Sequence, residues 1–151
     1  MKHGAVALVL FLATCRAALG SDWCWQEAAA AQQVSPILLR AIAAEESSCN
    51  PGARGRINRN GTVDHGPMQI NSAWLGDKRF QRLHIQERDL YDPCKANYIA
   101  AWVIATCYKQ YGVTWQAVGC YNARSPDKQL LYAQKIHRRI ERYRRTGGGV
   151  C

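Results

Sequence analysis

Two adjacent carboxylates, Glu45 and Glu46, lie near the end of the run SPILLRAIAAEESS at residues 35–48. Leu38, Leu39 and Ile42 precede Glu46 by eight, seven and four positions. On a helix those spacings put Glu46 on the apolar stripe. A carboxyl at the edge of an apolar pocket keeps its proton to higher pH than a solvated one. A retained proton near neutrality suits a general acid, as in glycosidic cleavage, where a protonated carboxyl must reach the leaving oxygen. Glu45 competes for the role, because Ala41 and Ile42 stand four and three residues before it. Periodicity leaves that choice open, and a pair of solvated surface carboxylates is the plain alternative.

The elements that must position these groups read as helices along nearly the whole chain. Trp23–Gln33 forms a short Ala-rich helix. Ser35-Pro36 then supplies a cap and a proline at the first helical position, and the Glu-bearing helix stops near Asn50-Pro51. Residues 52–66 are rich in Gly, Asn and Arg, with a tight-turn signal at Asn60-Gly61. They predict a small β-hairpin near residues 56–64 or an irregular loop. Asn71 or Ser72 opens a short helix. Asp92-Pro93 opens a long one to about Tyr111, stopped by Gly112. Thr114 caps a short helix ending near Tyr121, and Ser125-Pro126 starts the last. That helix carries Lys135, Arg138, Arg139, Arg142, Arg144 and Arg145 before the Gly147–Gly149 run.

The 151 residues open with Lys2, the apolar run AVALVLFLA and a small-residue Ala18-Leu19-Gly20 site. This reads as a secretory signal over residues 1–20, followed by one domain over 21–146 and a flexible tail over 147–151. An uncleaved anchor and a lipidated Cys15 are the rival readings. The apolar run is far short of the ~20 residues of a spanning helix, so stable membrane insertion after cleavage is not expected. Removing Lys2 and Arg16 takes 20 basic residues to 18 against 11 acidic ones, a net +7. That sign suits an anionic wall polymer or membrane surface, and export argues against nucleic acid.

Six cysteines remain: Cys24, Cys49, Cys94, Cys107, Cys120 and Cys151. An even number in an exported chain reads as disulfides. Close C-x-x-C spacing is missing, so neither metal nor cofactor is expected. Cys94 and Cys107 fall ~19 Å apart on one helix, beyond the ~7 Å a disulfide spans. Cys107 and Cys120 flank the Gly112 turn and can meet. Cys24–Cys94 is the next choice and Cys49–Cys151 the remainder.

Three stretches together resemble the lytic transglycosylase (SLT, goose-lysozyme-like) family. SPILLRAIAAEESSCN at 35–50 is similar to its first motif, a helix ending in Glu-Ser before Asn-Pro. DHGPMQIN at 64–71 is similar to its Gly-Leu-Met-Gln motif. AVGCYNA at 117–123 is similar to its Ala-x-x-x-Tyr-Asn-Ala-Gly motif. Asn60-Gly61-Thr62-Val63-Asp64 and Asp92-Pro93-Cys94 resemble the small invasion-associated (IagB- and IpgF-like) members, which accompany type III secretion, conjugation or pilus machines. The resemblance implies a mainly α, disulfide-stabilised lysozyme-like fold acting as a monomer, periplasmic or else secreted, on a peptidoglycan glycan strand.

Because the family's acid directly precedes Ser, the resemblance selects Glu46 over Glu45. It implies that Tyr121 hydrogen-bonds and positions Glu46. Gln69, Asn71 and Asn122 would line the sugar cleft, and Ser47 would hold the glutamate loop or a substrate amide. Asp64 would assist as a second carboxylate, its alternative being an Asx-type turn residue. The implied reaction cleaves the MurNAc–GlcNAc bond to leave 1,6-anhydroMurNAc. A hydrolase of the same bond and a non-catalytic wall-binding accessory are the alternatives. Pro67 stands where the motif has Leu, and Arg124 where it has Gly.

Overall fold

A computed structural model describes residues 23–147 together with Cys151. The expected export signal lies outside the described residues, as do residues 148–150 of the expected tail. Among the described residues six helices carry the fold: α1 (Trp25–Gln32), α2 (Pro36–Ser47), α3 (Lys78–Arg82), α4 (Pro93–Tyr111), α5 (Trp115–Cys120) and α6 (Pro126–Thr146). Two-residue strands β1 (Asp64–His65) and β2 (Ile70–Asn71) pair antiparallel, with Asp64 opposite Asn71 and His65 opposite Ile70. Short 3₁₀ turns cover Ser72–Gly76 and Glu87–Tyr91.

The helix starts follow their local chemistry. Pro36, Pro93 and Pro126 each occupy a first-turn position, where a missing N–H costs nothing. Asp92 and Thr114 accept from the backbone N–H of Lys95 and Ala117. Ser35 and Ser125 hold extended cap geometry without a side-chain cap bond. Helix α2 ends at Ser47, before the expected Asn50-Pro51 stop. Ser48 and Cys49 both turn left-handed, and their N–H groups return to Ala44 and Ala43. The tight turn at Asn60-Gly61 forms, closed by Asn58–Thr62 and Gly61–Asn58 backbone bonds. The arms on either side of it pair as Arg54 meets His65 and Gly55 N donates to the Asp64 carbonyl, and a second reversal follows at 64–71, where β1 meets β2.

Helix α4 runs through the core, burying Ala96, Ile99, Ala100, Ala101, Val103 and Ile104. Helices α1, α2 and α5 pack around it, and α6 lies across α5 and α2. Gly119 is what lets α5 and α6 approach: a Cβ there would sit 2.2 Å from the Gln129 carbonyl oxygen. Three disulfides fix the arrangement: Cys24–Cys94, Cys49–Cys151 and Cys107–Cys120. These are the pairs the sequence ranked. Cys49–Cys151 ties Cys151 to the segment that follows Glu46.

Candidate active site

The last turn of α2 carries Glu46 into a cleft of about 1120 Å³. Opposite walls come from Asn58 and Asp64, from β2 with the 3₁₀ turn after it, and from Tyr121–Arg124. Glu45, one residue away, turns elsewhere. Its carboxylate lies 2.6 Å from Arg139 Nε and 3.5 Å from Lys135 Nζ, both on α6. The two glutamates that periodicity could not separate therefore have different surroundings. One pairs with a neighbouring helix and the other faces the cleft. Two members of the basic α6 run are thereby committed to holding α2.

Glu46 is partly buried, and burial raises its carboxyl from 4.5 to about 7. The hydrogen bond from Tyr132 pulls the other way, the negative charges of Glu45 and Asp64 add to the rise, and Lys135 opposes it. Tyr132 Oη donates to Glu46 Oε1 at 2.5 Å. Burial pushes the Tyr132 phenol well above its usual range, so it remains a donor.

The expected hydrogen bond from Tyr121 to Glu46 is not the one formed. Tyr121 Oη donates to the Met68 carbonyl at 2.7 Å and stacks against Tyr132, with ring centroids 6.4 Å apart. Tyr121 thus braces the β1–β2 loop, and Tyr132 holds the Glu46 carboxyl. Sequence reasoning missed Tyr132. The available signal was its place on the buried stripe of α6 with Gln129, Ala133, Ile136 and Ile140. A tyrosine on such a stripe needs an acceptor for its hydroxyl.

The remaining residues form two groups. Ser47 Oγ donates to the Pro67 carbonyl at 2.8 Å and accepts from Asn50 N at 3.0 Å, joining the end of α2 to the cleft loop. Asn71 Nδ2 donates to Asp64 Oδ1 at 2.8 Å and to Thr62 Oγ1 at 2.9 Å, while its Oδ1 caps the next turn at Ala73 N. Asn58 Nδ2 reaches Asp64 Oδ2 at 3.4 Å. Asp64 is therefore held by amides at the cleft wall, on a strand and not at a turn apex. Gln69 donates its Nε2 to the Gly66 carbonyl at 2.8 Å and lines the cleft, as does Asn122. Among the described residues no group of three His, Cys, Asp or Glu is placed to hold a metal ion.

The transglycosylase SLT domain model matches residues 23–137, most of the chain. The chain belongs to the transglycosylase SLT domain family. It is 40% identical to Invasion protein IagB of Salmonella typhimurium (strain LT2) over 130 residues, covering 83% of this chain and 78% of that one. Protein IpgF of Shigella flexneri is 39% identical over 129 residues, 82% of this chain and 83% of that one. A peptidoglycan-binding-like protein of Escherichia coli O157:H7 is 32% identical over 126 residues, 78% and 75% of the two chains.

Within this SLT domain the Pro67 departure is absorbed. Pro67 is fully buried, and its carbonyl serves Ser47. The surrounding turn closes through Gln69 N to the Gly66 carbonyl, which needs no proline N–H. Gly66 is required there: at φ +71°, a Cβ would stand 1.7 Å from the Leu90 carbonyl oxygen. His65, also buried, places Nδ1 2.8 Å from Tyr91 Oη, so the hairpin is tied to the 87–91 turn from behind.

Proposed function

We propose that the chain is an exported lytic transglycosylase. In this reading it cleaves the β-1,4 bond between MurNAc and GlcNAc of peptidoglycan in the periplasm. It would open the wall locally for a secretion, conjugation or pilus apparatus. Family membership and the likeness to invasion proteins support the class and setting. Three disulfides suit an oxidising compartment. No helix among the described residues is long and apolar enough to cross a membrane.

The observation that carries the reading is a cleft-facing carboxyl raised to about 7 and fixed by a buried phenol. Tyr132 occupies Oε1 as a donor, so the Glu46 proton resides on Oε2, the oxygen left for substrate. Glu46 gives that proton to the glycosidic oxygen as the C1–O bond breaks, and positive charge develops at C1 of MurNAc. The resulting carboxylate then takes the proton of the MurNAc 6-hydroxyl as O6 bonds to C1. The product is 1,6-anhydroMurNAc, Glu46 regains its proton, and no water is consumed. Asp64, a second cleft carboxylate, opposes the developing positive charge. Gln69 and Asn122 offer amides to the sugar substituents, Asn71 orients Asp64, and Ser47 and Tyr121 hold the loop on which these groups stand.

Asp64 also supports a second reading. A carboxylate across the cleft can orient a water, which would make the chain a hydrolase of the same bond. Incubating purified mature protein with isolated sacculi tests the common ground of both. Wild type is expected to release soluble muropeptides and Glu46→Gln to release none. Equal release by the two would remove Glu46 from the chemistry. No release by wild type would favour the wall-binding accessory.

A further inference from the structure

Arg124 is the departure that nothing so far explains. It lines the same cleft as Glu46, next to Asn122, and it is exposed. Its backbone is not loose. Fully buried Gln129 donates its Nε2 to the Ala123 carbonyl at 3.0 Å and to the Arg124 carbonyl at 3.3 Å. Gly119 in turn lets the Gln129 backbone press against α5. The guanidinium therefore projects from a fixed root.

Among the described residues no carboxylate pairs with Arg124. The other acids of the cleft are engaged. Asp77 holds Arg79 through two bonds of 2.7 and 2.8 Å, Asp64 accepts from Asn71 and Asn58, and Glu46 accepts from Tyr132. An arginine with no internal partner on the wall of a polymer-binding cleft matches a planar anion from outside.

We propose that Arg124 is a specificity residue that binds a carboxylate carried by the muramyl unit. The inference rests on the reading of the cleft as a peptidoglycan site. Two sources share that chemistry. One is the lactyl carboxylate of MurNAc, free only where the peptide stem has been removed. The other is a carboxylate of the stem itself. Either makes the enzyme prefer acidic glycan over neutral N-acetylhexosamine polymer.

The test compares wild type with Arg124→Gln on three substrates: stem-bearing glycan strands, the same strands with carboxyls converted to amides, and strands stripped of stems. Arg124→Gln is expected to raise KM about fivefold, the size of a single partly exposed ion pair. It should leave kcat, the pH profile and the melting temperature unchanged. The fivefold gap should vanish on the amidated strands. A gap confined to stripped strands assigns the lactyl carboxylate, and one confined to stem-bearing strands assigns the stem. Equal KM values on every substrate, or the same gap on amidated strands, would overturn the proposal. Cosedimentation of both proteins with native and amidated strands needs no turnover. It still decides the role of Arg124 if wild type cleaves nothing, an outcome that would count against the enzyme reading alone.

Discussion

Removing the Tyr132 hydroxyl should move the Glu46 proton in a direction that can be stated beforehand. The bond from Tyr132 stabilises the charged carboxylate, so Tyr132→Phe raises the Glu46 value further above about 7. The alkaline limb of the kcat/KM profile should shift upward, and kcat should fall roughly tenfold as the acid loses its fixed orientation. An unmoved limb would mean that Tyr132 does not govern the proton. Stability carries the same signature. Folding raises the Glu46 carboxyl from 4.5 to about 7, so the folded chain holds the proton more tightly than the unfolded one. That contribution is fully present below about pH 4.5 and lost as pH rises through about 7. Glu46→Gln has no charge to bury. In urea unfolding it should be more stable than wild type at pH 8, by at most ~3 kcal/mol, and match it near pH 4. At this scale the sequence was half legible. The Glu-Ser context singled out Glu46, and the structure finds Glu45 paired with Arg139. Tyr132 escaped because the contact spans 86 residues, and no local pattern encodes which buried hydroxyl meets which carboxylate.

At the scale of elements, punctuation was easiest to read. Pro36, Pro93 and Pro126 marked three helix starts, and Gly112 and Gly147 marked two ends. The pieces between Ser72 and Tyr91 were less legible. Helix α3 is five residues held by an Asp77 cap and one buried anchor, Phe80, too short for a periodic signal. Phe80 and Trp102 back the cleft-lining Trp74, at centroid distances of 6.0 and 5.3 Å. The second reversal was not read because its turn, Gly66–Gln69, contains a proline in place of the usual Asn-Gly pair. Close approach gives this scale its prediction. Gly119→Ala must push α5 from α6 where Gln129 anchors the Arg124 loop. A loss of at least ~2 kcal/mol is expected in urea unfolding. A change within ~0.5 kcal/mol would show that the two helices can part without cost.

For the whole molecule, three disulfides among the described residues constrain the unfolded chain. Their sequence separations are 13, 70 and 102 residues. Loop-closure arguments assign on the order of 3 kcal/mol to the first and 4–5 to each of the others. Reduction should therefore lower the urea midpoint sharply, and a midpoint unchanged by reductant would remove the disulfides from the stability account. The basic charge was legible as a total, but its use was not. Lys135 and Arg139 serve Glu45 within the fold, while Arg138, Arg142 and Arg145 stay exposed. What the molecule does with the bond it cuts is decided by the fate of one oxygen. Digesting sacculi in ¹⁸O-labelled water and weighing the muramyl ends asks this directly. The account predicts ends lighter by one water than the hydrolytic product, free of label, and no ends of either kind from Glu46→Gln. Ends that carry ¹⁸O would show that Glu46 and Asp64 direct water to C1, contradicting the transglycosylase reading.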